Sequence, residues 1–306
     1  MQRFFTIAFL VAFFCFSLAA CTSSTTKQKE FTSPSDAVQA LVTALQTGNE
    51  KELLLILGPG GDEILSSGDE VDDLQGRQNF LKAYNEQNSI TPDGDRFLLV
   101  IGKNDWPFPI PIIKKGDRWI FDTASGKEEL LNRRIGKNEL NTIQVLLAIV
   151  DAQREFAMKG RDTDALMEYA QKFRSDPGMK NGLYWQAEEG EESSPLGELV
   201  ANARTEGYTS GGARDKPEPY YGYFYRILTA QGRNAPGGAY DYLVDDKMIG
   251  GFAVVAFPAE YANSGVMSFI VNHEGVVYQK DLGENTGEQA KAMSLYDPDE
   301  TWMTAQ

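Results

Sequence analysis

Histidine and cysteine are the scarcest reactive residues in this chain of 306 residues, which has one histidine, His273, and two cysteines, Cys15 and Cys21. Nucleophilic catalysis needs a base beside the attacking group. The one histidine sits in a turn, Asn272-His273-Glu274-Gly275, where a solvent-exposed side chain is expected. The chain has no Gly-x-Ser-x-Gly elbow, no His-Glu-x-x-His pair, no phosphate loop and no dinucleotide fingerprint. Ser24-Thr25-Thr26-Lys27 has Ser-x-x-Lys spacing, but it lies in a polar stretch with nothing around it to build an oxyanion site. Basic charge is also short: 29 Lys and Arg face 44 Asp and Glu, for a net charge of −15. Such a surface repels phosphate backbones, so nucleic acid is excluded as a partner. The densest acidic run, Glu188-Glu189-Gly190-Glu191-Glu192, matches no calcium-loop spacing, and neither a metal nor a cofactor is expected.

What is present begins with an export signal at residues 1–20, in which Arg3 precedes the apolar run from Phe4 to Leu18. That run is short for a membrane span. Leu18-Ala19-Ala20-Cys21 resembles the bacterial lipobox, which implies cleavage before Cys21 and a lipid on its thiol. The mature chain would then hold neither a disulfide nor a cysteine ligand. Residues 21–32 read as a lipidated tether, polar and unpatterned from Thr22 to Glu30. Thr22 in place of Asp points, in a Gram-negative host, to the outer membrane facing the periplasm. The expected address is the bacterial cell envelope, and the expected partners are the membrane, through the lipid, and an envelope protein.

The remainder divides into an N-terminal α+β domain at residues 33–127 and a C-terminal helix-plus-sheet domain at 128–306. Ser33-Pro34-Ser35-Asp36 opens a helix with a cap, a first-turn proline and a first-turn carboxylate. Thr47-Gly48-Asn49 stops it, Lys51 to Leu57 forms a second helix, and Leu74 to Glu86 a third with Phe80, Leu81 and Tyr84 inward. Strands follow at Arg96–Ile101, Ile110–Ile113 and Arg118–Asp122, the last two joined through Lys115-Gly116-Asp117. This order of elements resembles the cone-shaped nuclear-transport-factor-2-like fold over residues 33–123, which implies a pocket between sheet and helices; side chains are expected to fill it. The alternating prolines of Trp106-Pro107-Phe108-Pro109-Ile110-Pro111 predict an extended, protected sheet edge.

Glu139 to Lys159 reads as the central helix, after a short helical piece at Glu128 to Arg134. Leu140, Ile143, Leu147 and Val150 form its stripe, and the all-apolar turn from Val145 to Val150 predicts cover on every side. A helix from Thr163 to Arg174 and a short one at Pro195 to Arg204 are expected next, then strands at Tyr221–Thr229, Gly251–Phe257, Val266–Val271 and Val276–Lys280. A long helix packed on a four-stranded antiparallel meander resembles the globular part of type IV pilins and pseudopilins. The matching residues are Ile143, Val150, Ala152, Gln153 and Phe156 on the helix, and Tyr223 to Arg226, Ala256 to Pro258 and Phe269 to Val276 on the strands. Pilins assemble through an N-terminal apolar helix, whose place is taken here by a soluble domain.

Across residues 30 to 303 the chain also resembles a family of bacterial envelope proteins known only as domain of unknown function 2950. The matching runs are Trp119 to Thr123, Gly126 to Glu129, Arg133 to Leu140, Asp151 to Gln153, Gly182 to Trp185, Pro219 to Tyr223 and Gly250 to Phe252. The resemblance carries no activity with it.

For function, strand alternation places Tyr221, Tyr223 and Tyr225 on one face and Tyr220 and Phe224 on the other. The three tyrosines are the candidate binding surface, since aromatic rings stack on sugars or peptide. No residue is assigned as catalytic. The reading is a non-enzymatic interaction or assembly module. The alternatives are an envelope-polymer hydrolase using paired carboxylates, with Glu139 and Asp151 flanking the core, and a pseudopilin-like secretion component.

Overall fold

In a computed structural model, residues 27–159, 167–187, 190–205, 208 and 218–305 are described. The lipobox, Cys21 and the export signal lie outside them.

Ser33 accepts the Asp36 amide at 3.1 Å, Pro34 opens α1 (Pro34–Thr47), and Gly48 ends it in the left-handed region. Asn49 caps α2 (Glu50–Leu57). Their apolar faces, including Val38, Leu41, Leu53 and Ile56, form one core with Leu99, Ile101, Ile110, Ile112 and Phe121. A short α3 (Gly61–Leu65) follows, and α4 (Glu70–Glu86) starts four residues ahead of the expected Leu74, because Asp69 caps it. Phe80, Leu81 and Tyr84 do rest on this core.

The first sheet contains β1 (Asn88–Asp93), β2 (Arg96–Ile101), β3 (Trp106–Pro107), β4 (Ile112–Lys115) and β5 (Arg118–Phe121). Its order is β1-β2-β4-β5, with β3 also paired to β2, all antiparallel. β1 is polar and contains Pro92, composition that reads as a turn but is tolerated on a sheet edge. The proline stretch, by contrast, is not a protected edge. After β3 it turns inward, burying Phe108, Ile110 and Pro111. A Cβ on Gly126 would lie 2.6 Å from the Ile110 Cα, so only glycine permits this approach.

Part of the stretch expected as a tether, residues 21–32, is folded. Gln28 Nε2 donates to the carbonyls of Ile56, Leu57 and Phe121, and Phe31 exchanges backbone hydrogen bonds with Trp119. Residues 28–32 therefore belong to the folded unit.

One helix, α5 (Thr123–Lys159), replaces the two expected pieces and runs roughly 55 Å at 1.5 Å per residue. The expected domain boundary at 127/128 falls inside it. Its inward face is Asn138, Thr142, Val145, Leu146, Ile149, Val150 and Gln153, whereas Leu140 is 61% and Leu147 36% exposed. The expected apolar stripe is therefore rotated, and the middle turn is not covered on every side.

The helix expected at Thr163 to Arg174 is not formed where it is described; residues 163–166 lie outside the description. Residues 167–174 are irregular, because their backbone groups bond elsewhere. The buried Gln153 amide both donates to and accepts from Ala170, at 2.8 Å each way, and Tyr169 N–H donates to the Met248 carbonyl. An extended chain satisfied in this way gains nothing by coiling.

After α6 (Gly197–Thr205), β6 (Tyr223–Leu228) leads into two small two-stranded ribbons, β7 (Ala230–Gln231) with β8 (Tyr240–Asp241) and β9 (Leu243–Val244) with β10 (Lys247–Met248). The main sheet then adds β11 (Ala253–Pro258), β12 (Met267–Asn272) and β13 (Tyr278–Asp281). Beyond α7 (Thr286–Ala292), β14 (Met303–Thr304) makes a fifth strand, in the order β14-β13-β12-β11-β6. The meander is antiparallel throughout, one strand larger than expected, and α5 lies against β11 and β12. Helices and antiparallel sheets, none closed into a barrel, make the fold α+β.

Candidate functional site

The three candidate tyrosines do not share a face. Tyr220 and Tyr223 exchange backbone hydrogen bonds of 2.9 and 3.2 Å around Tyr221 and Gly222, whose φ values are +51° and +73°. This is a tight turn of the mirror-image type that matches strand twist. It breaks the alternation assumed from sequence. Tyr223 and Tyr225 do lie on one side of β6, but that side is covered. Tyr223 is fully buried against Phe269 and donates to the Met267 carbonyl at 2.9 Å, and Tyr225 reaches Thr142 on α5. Burial pushes both phenols above their ordinary pKa. Tyr221 turns away with Tyr220, their ring centroids 4.3 Å apart at 34°. Of the three expected binding residues, only Tyr221 reaches an open surface, and it is joined by Tyr220, which the alternation had assigned to the opposite set.

The turn is held from the N-terminal half. Asp69, 1% exposed, uses Oδ1 to cap α4 at Val71 and Asp72. Its Oδ2 accepts the Gly222 N–H at 2.9 Å and the Tyr208 hydroxyl at 2.8 Å. Tyr208 in turn accepts the Tyr221 N–H and stacks edge-on against Tyr220 at 4.8 Å.

The distinctive run Arg133 to Leu140 has the same purpose. Arg134 donates to the carbonyls of Glu63 and Ile64 and to Asn263 Oδ1, Lys137 pairs with Asp72 at 2.7 Å, and Asn138 donates to the Ser264 carbonyl at 3.0 Å. Glu139 accepts the amides of Val266 and Met267 at 3.0 and 2.9 Å. The ion pair of Arg133 is local, with Glu129 at 2.6 Å, while Arg134 locks the two halves together.

Beside this junction lies an open cleft of about 430 Å³ between α5, α6 and the tyrosine turn. Asn141, Gln144, Val145 and Ala148 line one wall, Leu199, Asn202 and Thr205 the other, with Tyr220 and Tyr221 at the end. None of these nine residues carries a charge at neutral pH. The side of the central helix expected to be covered is thus the side that opens here. The signal that could have found the cleft was Asn141, Gln144 and Ala148, polar or small side chains at i, i+3 and i+7 on one face of the central helix.

The carboxylates weighed for acid–base work do not meet. Glu139 and Asp151 are 12 residues apart on one helix, roughly 18 Å along its axis. The first is held by backbone amides, and the second is an exposed partner of Arg154. His273 is half-buried rather than exposed, with its ring edge-on to Tyr242 at 5.8 Å and to Phe252 at 6.4 Å. Desolvation lowers its pKa. Among the described residues no three His, Cys, Asp or Glu side chains are grouped to hold a metal ion, and no helix is long and apolar enough to cross a membrane.

The fold and the cleft define an α+β protein with an aromatic-ended groove whose described lining is neutral. The chain belongs to the family described as protein of unknown function (DUF2950), matched over residues 28–305. No curated protein and no solved structure matches it.

Proposed function

We propose that this chain is a lipid-anchored cell-envelope protein that acts as a non-enzymatic interaction or assembly module, held by Cys21 and engaging an envelope component through the cleft at Tyr220 and Tyr221. The observation that carries this reading is the composition of the cleft. Its described lining offers amides, a hydroxyl and aromatic rings, a set suited to recognition. It offers no paired carboxylates, which the alternative of an envelope-polymer hydrolase requires. The seven residues from Cys21 to Gln28 span at most about 25 Å, so the face around Gln28 would ride close to the bilayer. That bilayer would be the outer membrane, with the protein in the periplasm. The packing of α5 on the antiparallel meander favours a pseudopilin-like relationship as the second reading.

The test is a pull-down from detergent-solubilised native membranes with the acylated full-length chain, wild type beside Tyr220→Ala/Tyr221→Ala. An envelope component recovered by the wild type and lost in the variant is expected. Equal recovery by both would sink the assignment of the cleft.

A further inference from the structure

The cleft has a chemical signature that narrows its ligand. About a quarter of the chain is charged, 24%, yet none of the nine described lining residues is Asp, Glu, Lys or Arg. Phosphate or carboxylate ligands call for Arg, Lys or a helix N-terminus aimed at the anion. Of α6 the cleft takes an apolar side chain from the first turn, Leu199, and Asn202 and Thr205 from the body and end. Among the described residues the lining is a set of neutral hydrogen-bonding groups beside apolar surface. Asn141 and Gln144 are one turn apart on α5, and Asn202 and Thr205 one turn apart on α6, so each pair shares a helix face. A primary amide offers two donors and an acceptor, and the Thr205 hydroxyl, whose hydrogen goes to the Ala201 carbonyl at 3.0 Å, keeps its lone pairs free to accept. Val145, Ala148 and Leu199 supply the apolar surface, with the tilted Tyr220 and Tyr221 rings at the end.

We infer that this cleft binds an uncharged glycan, a short run of hexose or N-acetylhexosamine units. Each sugar ring has one polar rim of hydroxyls that both donate and accept, which neutral amides match without burying an unpaired charge. Its axial C–H face is apolar and sits on an aromatic ring or an aliphatic floor. A volume of about 430 Å³ is in the range of small-molecule sites. The inference rests on the cleft being the engaging surface proposed above, and it replaces a protein by a saccharide as the occupant.

The experiment is calorimetric titration of the acylated full-length chain in detergent micelles with chitotetraose, cellotetraose and maltotetraose, and with a phosphorylated hexose as the charged control. At least one neutral oligosaccharide is expected to bind, with the phosphorylated sugar at least tenfold weaker. Asn202→Ala, on an exposed helix position where folding is insensitive, and Asn141→Asp should each weaken binding tenfold or more with the melting temperature unchanged. Tyr220→Ala/Tyr221→Ala should weaken binding as much, with a lower melting temperature because both rings pack against the core. Comparable binding of the charged sugar, or no effect of Asn202→Ala, overturns the inference. If no oligosaccharide titrates while the membrane pull-down still returns a protein lost in the tyrosine variant, the glycan inference falls and the interaction module stands. If neither occurs, both fall.

Discussion

Asp69 Oδ2 accepts the backbone N–H of Gly222 at 2.9 Å, joining residues 153 positions apart in the chain. The same carboxylate caps α4 and takes the Tyr208 hydroxyl. One side chain therefore ends the loop after α3, starts a helix and fixes the turn that aims Tyr220 and Tyr221 at the cleft.

Removing that carboxylate should cost both a cap and two buried acceptor contacts. Asp69→Ala is expected to lower the unfolding free energy by about 3 kcal/mol, and Asp69→Asn by less, since an amide oxygen can still accept. Urea denaturation followed by tryptophan fluorescence reads both. A loss under about 1 kcal/mol in the alanine variant would mean that the junction does not depend on Asp69.

Gly222 has little room to change. Its φ is +73°, and a Cβ there would stand 2.6 Å from Asn138 Nδ2 and 3.0 Å from the Ser264 Cβ. Gly222→Ala should destabilise by about 2 kcal/mol, the left-handed backbone contributing roughly half. It should also disturb the cleft, through Tyr221. An unchanged melting temperature would contradict the close approach.

Arg134 is a fork that a lysine cannot copy. It meets three acceptors on two segments, the carbonyls of Glu63 and Ile64 and the side chain of Asn263. Both Arg134→Lys and Arg134→Leu should destabilise, by about 1–2 and 2–3 kcal/mol respectively. Limited proteolysis should show earlier cutting near residues 62–68 in both. If lysine restores full stability, the planar fork is not what matters.

His273 should make the fold weaken in mild acid. Burial lowers its folded pKa below the unfolded value near 6.5; Glu274 opposes that and Arg154 adds to it. The unfolded chain therefore takes up the proton first, and stability present above about pH 6.5 is lost as pH falls through the folded pKa. Asp73, whose pKa is raised chiefly by burial, acts with the opposite sign, because its folded carboxyl binds a proton more readily. Its window lies above the ordinary 3.8. Melting temperatures between pH 7.5 and 5.5 should fall in the wild type and fall less in His273→Gln. Parallel curves would show that the histidine is not the source.

Cys21→Ser should give protein that carries no lipid and fractionates as soluble. Mass spectrometry of the purified chain and membrane flotation check this. Acylated, membrane-bound Cys21→Ser protein would refute the anchor.

Local signals were legible where the physics was local. Ser33-Pro34 and Gly48 set the ends of α1 by capping and by left-handed φ, which need no distant partner. The turn at Lys115-Gly116-Asp117 and the strands around Val254 and Ile270 were likewise readable from composition and alternation. Misreadings arose where a distant group replaced a local one. Residues 167–174 are helical in periodicity, yet the Gln153 amide and the Met248 carbonyl take up their backbone groups. Ile135 to Asn138 looked like a break between helices, but cross-links from Arg134, Lys137 and Asn138 to both halves carry α5 straight through it.

Sequence by itself determined the α+β class, the capped helices, the antiparallel strands and an acidic net charge, because each follows from propensity, periodicity or composition. Only tertiary structure decided which side of α5 is open, because that depends on where α6 and the tyrosine turn come to rest. It also decided the fate of the tyrosines: two positive-φ residues, held by an aspartate from the other half, sent Tyr221 to the cleft and left Tyr223 in the core.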